Sequence, residues 1–177
     1  MSTPDDLAAV VDSRCRISGT FLLRSGKTSS EYFDKYLFES DPALLRRIAE
    51  RMAAVVPDDV DALGGLELGG VPLAVMVGQL TGLPTLMVRK VAKEYGTRKL
   101  AEGGDVDGRH ILLVEDVVTS GGAVIAAVGE LRALGGVVTD AVCAIDRGEG
   151  GAAALADLGV RLTPVITRAQ LDAARNA

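Results

Sequence analysis

The chain has 177 residues, enough for one domain with a substantial core, and 24 acidic against 19 basic side chains give it a net charge of −5. That acidic balance argues against nucleic-acid binding, which wants a basic face. Cys15 and Cys143 stand far apart, which excludes a disulfide framework or zinc spacing, and no apolar run or amino-terminal leader pattern suggests a membrane or export, so a cytoplasmic protein is expected.

In chain order, Leu7 to Cys15 has helical spacing, and Phe21 to Arg24 reads as a short strand before the Ser25-Gly26-Lys27 turn. Asp41-Pro42 is a helix start, with Asp as cap and Pro in the first turn. Leu44, Leu45, Ile48, Met52 and Val55 supply its apolar stripe, and Pro57 marks its end. A strand over 62–66, a glycine turn, a helix over 72–80 and a strand over 85–88 follow. The polar stretch Lys90 to Gly108 carries four glycines and no apolar period. After it come a strand from Ile111, a helix over 123–134, a strand over 137–145, a helix over 152–158 and a last strand over 162–166. Strands alternating with helices predict a parallel sheet with right-handed crossovers. The lone His110 is expected to face solvent and is a poor candidate for a base or a metal ligand.

Three places carry chemistry. In Ile111-Leu112-Leu113-Val114-Glu115-Asp116-Val117-Val118-Thr119-Ser120-Gly121-Gly122-Ala123, an apolar strand leads through two carboxylates into a hydroxyl- and glycine-rich turn that opens a helix. Such a turn presents converging N–H groups to a phosphate. The carboxylates then lie at the distance of a ribose ring, where hydroxyls need acceptors. No Lys follows the glycines, so a ribose 5-phosphate fits better than a nucleoside triphosphate. A plain helix cap is the bland alternative. The second place is Lys90 to Gly108, where Arg89, Lys90, Lys93, Arg98 and Lys99 cluster in an otherwise acidic chain. It reads either as a solvated loop or, beside a phosphate site, as a mobile cationic lid. The third, Gly64 to Pro72, is an ordinary strand–helix turn or a second anion nest without a basic side chain, a seat for pyrophosphate.

The signature strand and turn closely resemble the phosphoribosyl pyrophosphate motif of the type I phosphoribosyltransferases. From Phe21 to Arg147 the order of motifs is similar to that of the orotate phosphoribosyltransferases. The resemblance implies a central parallel sheet flanked by helices, with a small amino-terminal hood (about 1–40) and a flexible catalytic loop (about 90–108) in one domain over 1–177. It implies transfer of the 5-phosphoribosyl group from phosphoribosyl pyrophosphate to orotate, giving orotidine 5′-phosphate and pyrophosphate in pyrimidine biosynthesis. Orotate contacts carried over are Arg24, Tyr32, Phe33, Thr119 and Arg147. Taken on the residues alone, the bland reading of the two aromatics is core, although an adjacent pair after a polar turn in a chain with 3% aromatic residues favours a ring contact, and the bland reading of Arg147 is a surface residue at a strand end. Phosphoribosyl pyrophosphate contacts are Leu68 and Gly69 through the main chain, Arg89, Lys90, Lys93 and Tyr95 from the lid, Glu115 and Asp116 at the ribose, and Val117, Val118, Thr119, Ser120, Gly121, Gly122 and Ala123 around the 5′-phosphate. Lys93 and Asp116 are the implied catalytic residues.

Tyr95 stands where many members have His, and Gly69 where some have Lys; a phenol can bond a phosphate oxygen but carries no positive charge near neutral pH. Magnesium is implied, held mainly by substrate oxygens and water rather than by a protein cage. A lid reaching across subunits implies a homodimer. A transferase for another base, or a non-catalytic sensor of phosphoribosyl pyrophosphate, would share the signature. The aromatic pair with Asp146-Arg147 favours orotate, and the cationic lid favours an enzyme.

Overall fold

The computed structural model describes residues 6–22, 26, 28–91 and 100–175. Two sheets organise them. A hairpin of β1 (Arg16–Leu22) and β2 (Thr28–Phe33) pairs antiparallel, with a bulge between Ser18 and Phe21. The main sheet holds β3 (Ala62–Leu66), β4 (Thr85–Val88), β5 (Ala101–Glu102), β6 (Ile111–Val118), β7 (Asp140–Asp146) and β8 (Arg161–Thr167), in the order β5-β4-β3-β6-β7-β8. All its pairings are parallel except that of the edge strand β5 on β4. The helices are α1 (Leu7–Cys15), α2 (Tyr36–Glu39), α3 (Pro42–Ala53), α4 (Gly70–Thr81), α5 (Gly122–Ala133), α6 (Gly151–Ala156) and α7 (Arg168–Arg175).

Each face of the main sheet is buried, as a parallel sheet requires. The side chains of β6 alternate, so Leu112 and Val114 join a cluster with α3 and α4, through Ile48, Met52, Leu73 and Val77. Ile111 and Leu113 join the opposite cluster, with Val124, Val128 and Leu131 of α5. Helix α3 begins as its sequence demands: the Asp41 carboxylate accepts hydrogen bonds from the Ala43 and Leu44 N–H groups at 3.0 and 3.1 Å. The hairpin is tied to the body by charge. Arg16 pairs with Asp12 at 2.5 Å, and Arg175 of α7 reaches Glu31 of β2 at 2.7 Å.

The strand expected over Phe21 to Arg24 begins earlier, at Arg16, because β2 pairs with it across the polar turn. That partner, Thr28–Phe33, is too polar to be read as a strand. Helix α3 stops at Ala53, and Val55, placed on its apolar stripe, is 44% exposed beyond the helix end. The 90–108 stretch is not featureless throughout. Leu100, Ala101 and Val106 are buried, and β5 bonds to the sheet edge. His110 also departs from expectation: its side chain is 16% exposed, and its ring nitrogens lie 3.1 Å from the Asp59 carbonyl and 2.7 Å from Thr139 Oγ1. It joins the start of β6 to neighbouring loops, forming an isolated bridge with Val137, while β7 proper begins at Asp140. The amphipathic α7 was missed altogether; its Leu171 packs into the core.

Asp41→Ala removes two bonds to otherwise orphaned N–H groups, so it should lower stability by about 1 kcal/mol. Denaturant unfolding with an unchanged slope is the expected readout.

Candidate active site

Strand order reverses direction between β3 and β6. From β3 the chain crosses to β4 on one side, and from β6 it crosses to β7 and β8 on the other. Crevices at the carboxyl ends of strands flanking such a switch are where open α/β sheets bind ligands. The turn after β3 (67–69) and the turn after β6 (119–121) both open there.

The turn after β6 is shaped by one left-handed residue. Gly121 has φ 80°, a conformation costly for any side chain, and it immediately precedes α5. The Gly151 N–H donates to the Thr119 carbonyl at 3.0 Å, so the start of α6 braces the turn from behind. Thr119, Ser120, Gly122 and Ala123 face solvent, while Val118 is buried beneath them. Glu115, Val117, Val118, Thr119, Gly121, Gly122 and Ala123 line a cup of about 50 Å³ at the helix start. A helix amino terminus whose own first turn holds no acidic residue is suited to an anion.

The strand does not end before the carboxylates. Strand β6 runs on to Val118, so Glu115 and Asp116 are strand residues and alternate between faces. Asp116 is 1% exposed and lies on the α4 side. Glu115 is 7% exposed and joins the cup on the α5 side. Its Oε1 accepts from the Asp116 N–H at 2.9 Å, and the Asp116 side chain accepts from the Val117 N–H.

Around Asp116 the structure gathers groups that the sequence did not single out. Lys35, in the bend between β2 and α2, donates to Asp116 Oδ2 at 2.5 Å. Glu39, at the end of α2, places Oε1 in the same spot, buried and with no donor among the described residues. Gly69 closes the cluster. A Cβ there would lie 1.8 Å from Asp116 Oδ2 and 2.5 Å from Glu39 Oε1. Its neighbour Gly70 is equally tight, since a Cβ would stand 2.3 Å from the Val114 carbonyl. The turn after β3 can therefore press on β6 only without side chains at these two positions.

The electrostatics follow from that crowding. Burial, then the facing Asp116, pushes Glu39 up from 4.5 to about 8. Burial and the Asp116 charge also raise Glu115. Burial works against a charged Lys35, but its bond to Asp116 and the charges of Glu115 and Glu39 outweigh it, and its pKa rises. The cluster thus pairs Asp116 with an ammonium, beside two glutamates whose carboxyls burial inclines to keep their protons.

On the far side of the hairpin turn, the Arg147 guanidinium lies 5.9 Å from the Phe33 ring centroid. The Arg147 N–H donates to the Val118 carbonyl at 2.9 Å, while its Nε is buried without an acceptor among the described residues. Tyr32 instead tilts against Phe21 at 5.5 Å and is 45% exposed, whereas Phe33 is half-buried against the core. Just after β4 the Lys90 N–H donates to Glu67 Oε1 at 2.9 Å, tying this segment to the glycine turn. Arg89 Nε stands 3.9 Å from Glu102 of β5. Leu68 is 68% exposed at the rim. Arg24, Lys93 and Tyr95 lie outside the described residues.

A parallel sheet with an anion cup and a glycine turn at its switch point is the frame of a phosphoribosyl transferase domain, and the model of that family matches residues 38–160. The chain is 59% identical to an orotate phosphoribosyltransferase from Nocardioides sp. over 177 residues, which is the whole chain and 99% of that relative. It is 41% identical to one from Halobacterium salinarum, covering 97% of this chain and 98% of the other. The crystal structure of Mycobacterium tuberculosis orotate phosphoribosyltransferase in complex with phosphoribosyl pyrophosphate superposes with a TM-score of 0.80 at 29% identity, covering 94% and 97% of the two chains. The chain belongs to the orotate phosphoribosyltransferases.

Glu39 binds its proton more tightly in the folded chain than at its ordinary value of 4.5. The folded state therefore holds more protons than the unfolded one between the two values, and this contribution to stability is lost as pH rises toward about 8. Melting temperature should fall from about pH 5 to about pH 8.5, and Glu39→Gln should flatten that fall. Thermal melts of both proteins across the range check it.

Proposed function

We propose that this chain transfers the 5-phosphoribosyl group of phosphoribosyl pyrophosphate to a ring nitrogen of orotate, releasing pyrophosphate and forming orotidine 5′-phosphate for pyrimidine nucleotide synthesis. The observation that carries this reading is the switch-point pairing of the Thr119–Ala123 cup with the Leu68–Gly69 turn across the carboxylates of β6. The 5′-phosphate sits in the cup on main-chain N–H groups and the Thr119 and Ser120 hydroxyls. Asp116, and Glu115 from the opposite face, accept from the ribose hydroxyls. Pyrophosphate lies toward Leu68 and Gly69, under Arg89, Lys90, Lys93 and Tyr95.

Orotate occupies the space between the hairpin and the end of β7. Arg147 has a buried donor in need of an acceptor, and the substrate carboxylate or its neighbouring carbonyl supplies one. Phe33 and Tyr32 border the ring, with Arg24 and Thr119 completing the contacts. The reaction needs no enzyme nucleophile. A weakly nucleophilic ring nitrogen displaces pyrophosphate from C1 with inversion, through an oxocarbenium-like transition state. The protein aligns the two reactants and stabilises charge on the leaving group, and Lys93 serves this directly.

Magnesium fits this donor set. Glu115 and Asp116 offer hard oxygens, and among the described residues no three His, Cys, Asp or Glu side chains form a cage. The ion takes most of its ligands from substrate oxygens and water, and when bound it offsets pyrophosphate charge. The lid reaches across a homodimer, so each site uses cations of the partner subunit. Residues 1–177 act as one domain, with a hood over about 1–40 and a catalytic loop over about 90–108. No helix among the described residues is long and apolar enough to cross a membrane, and we place the enzyme in the cytoplasm.

Loss of orotate absorbance on mixing protein, magnesium, orotate and phosphoribosyl pyrophosphate, with stoichiometric pyrophosphate release, is the expected result. Turnover of uracil or a purine base instead would overturn the choice of substrate. Tight phosphoribosyl pyrophosphate binding with no turnover of any base would make the chain a sensor.

Two variants should separate the half-sites. Asp116→Asn should raise the KM for phosphoribosyl pyrophosphate, and Arg147→Ala that for orotate, each by about tenfold or more, with smaller effects on the other substrate. Steady-state kinetics with each substrate varied in turn reads the split.

A further inference from the structure

The turn assigned to pyrophosphate has an electrostatic shortfall. Leu68, Gly69, Gly70 and Val71 carry no charge, and the residue just before them, Glu67, is acidic. Nor can the turn acquire a cation in this packing, because a side chain at Gly69 would run into Asp116 and Glu39. Main-chain N–H groups and a helix amino terminus supply only partial charge to a leaving group that bears several negative charges. A full positive charge stands next to this turn but arises from another element. Lys35 Nζ touches the same Asp116 Oδ2 against which Gly69 is pressed. Its side chain is about one-third exposed, and its ammonium is bonded to Asp116 beside the turn.

We propose that Lys35 is a substrate-binding cation for the pyrophosphate end of phosphoribosyl pyrophosphate, supplied by the hood in place of the charged side chain that the Leu68–Gly69–Gly70 turn cannot carry. Before substrate arrives, the ammonium is held on Asp116 Oδ2 at 2.5 Å. When the ribose hydroxyls take up Asp116 lone pairs, the flexible four-carbon stem lets the ammonium bridge from Asp116 to a pyrophosphate oxygen. An ammonium is a point charge with three donors, so it can keep its carboxylate bond while gaining the second. The hood would then sense both substrates, orotate through Phe33 and pyrophosphate through Lys35, two residues apart in sequence. This inference rests on the phosphoribosyl pyrophosphate site proposed above.

Calorimetric binding of two partial ligands to the full-length protein tests it: pyrophosphate with magnesium, which probes the Lys35 end, and ribose 5-phosphate, which probes the cup and the carboxylates. Lys35→Met should weaken pyrophosphate by about tenfold or more and leave ribose 5-phosphate within about twofold. Lys35→Cys should behave the same, and alkylation with bromoethylamine, which rebuilds a lysine-like ammonium, should restore pyrophosphate affinity. Both native thiols, Cys15 and Cys143, are buried, and burial raises the pKa of each, so the new thiol is the one that reacts. Equal loss of both ligands would reduce Lys35 to a support for Asp116. Unchanged or tighter pyrophosphate binding in Lys35→Met, or no recovery on aminoethylation of a folded Lys35→Cys protein, would overturn the proposal. Wild-type protein that binds neither ligand would instead remove the underlying site.

Discussion

A carboxylate at 1% exposure in the central strand of a hydrophobic sheet governs the arrangement around it. Burying Asp116 as an ion is costly unless it is paired and hydrogen-bonded, and the fold meets both needs from different directions. The Val117 N–H supplies a main-chain donor and Lys35 supplies the counter-charge. The hairpin and α2 are therefore not independent of the sheet. The bend that carries Lys35 must reach the end of β6, and doing so brings Phe33, two residues earlier, against Arg147 at the end of β7. One ion pair thus sets the distance between the hood and the strand ends, which is the gap where a base has to fit.

The glycines of the turn after β3 belong to the same constraint. Gly70 lies so close to the Val114 carbonyl, and Gly69 to Asp116, that any side chain would hold the turn away from β6. Close approach makes a compact crevice at the switch point, but it also fixes where charge can come from. The turn offers N–H groups only, while full charges must arrive from the lid and from the hood. The proposed chemistry divides accordingly. The cup after β6 is braced by α6 and offers main-chain N–H groups and hydroxyls to a phosphate that does not react, whereas the proposed cations for the departing pyrophosphate sit on elements outside the parallel core.

Much of this was legible in the sequence because the core elements obey simple rules. Strands over 62–66 and 85–88 are short, uncharged and largely apolar segments between turns, and α3 begins at an Asp-Pro cap, so their limits are legible or nearly so. The phosphate-type turn was legible because apolar strand, carboxylates, hydroxyls and glycines occur in one uninterrupted string. What escaped depends on pairing across distance. Strand β2 is polar and is a strand because β1 pairs with it; β5 is two residues long and is defined by its edge contact with β4. Glu115 and Asp116 looked like a pair at the end of a strand, and only the continuation of β6 to Val118 divides them between faces. Lys35 had no local mark at all, since an Asp-Lys bend before a short helix resembles any solvated turn.

A general rule could have found Lys35. A sequence that places Glu and Asp side by side in a strand buried on both faces has created a charge problem, and a cation must be sought among residues that the topology brings to that strand end. Arg89, the described guanidinium at the end of β4, leans toward Glu102 on the sheet edge instead. The remaining element over Asp116 is the hood. Glu39 sharpens the point. Its carboxyl faces Asp116 oxygen to oxygen, and burial together with that facing carboxylate pushes Glu39 up to about 8. Asp116 is bonded to Lys35 through Oδ2 and to the Val117 N–H through Oδ1. Ordering the charges in this way keeps a strong acceptor in an apolar sheet without leaving it uncompensated.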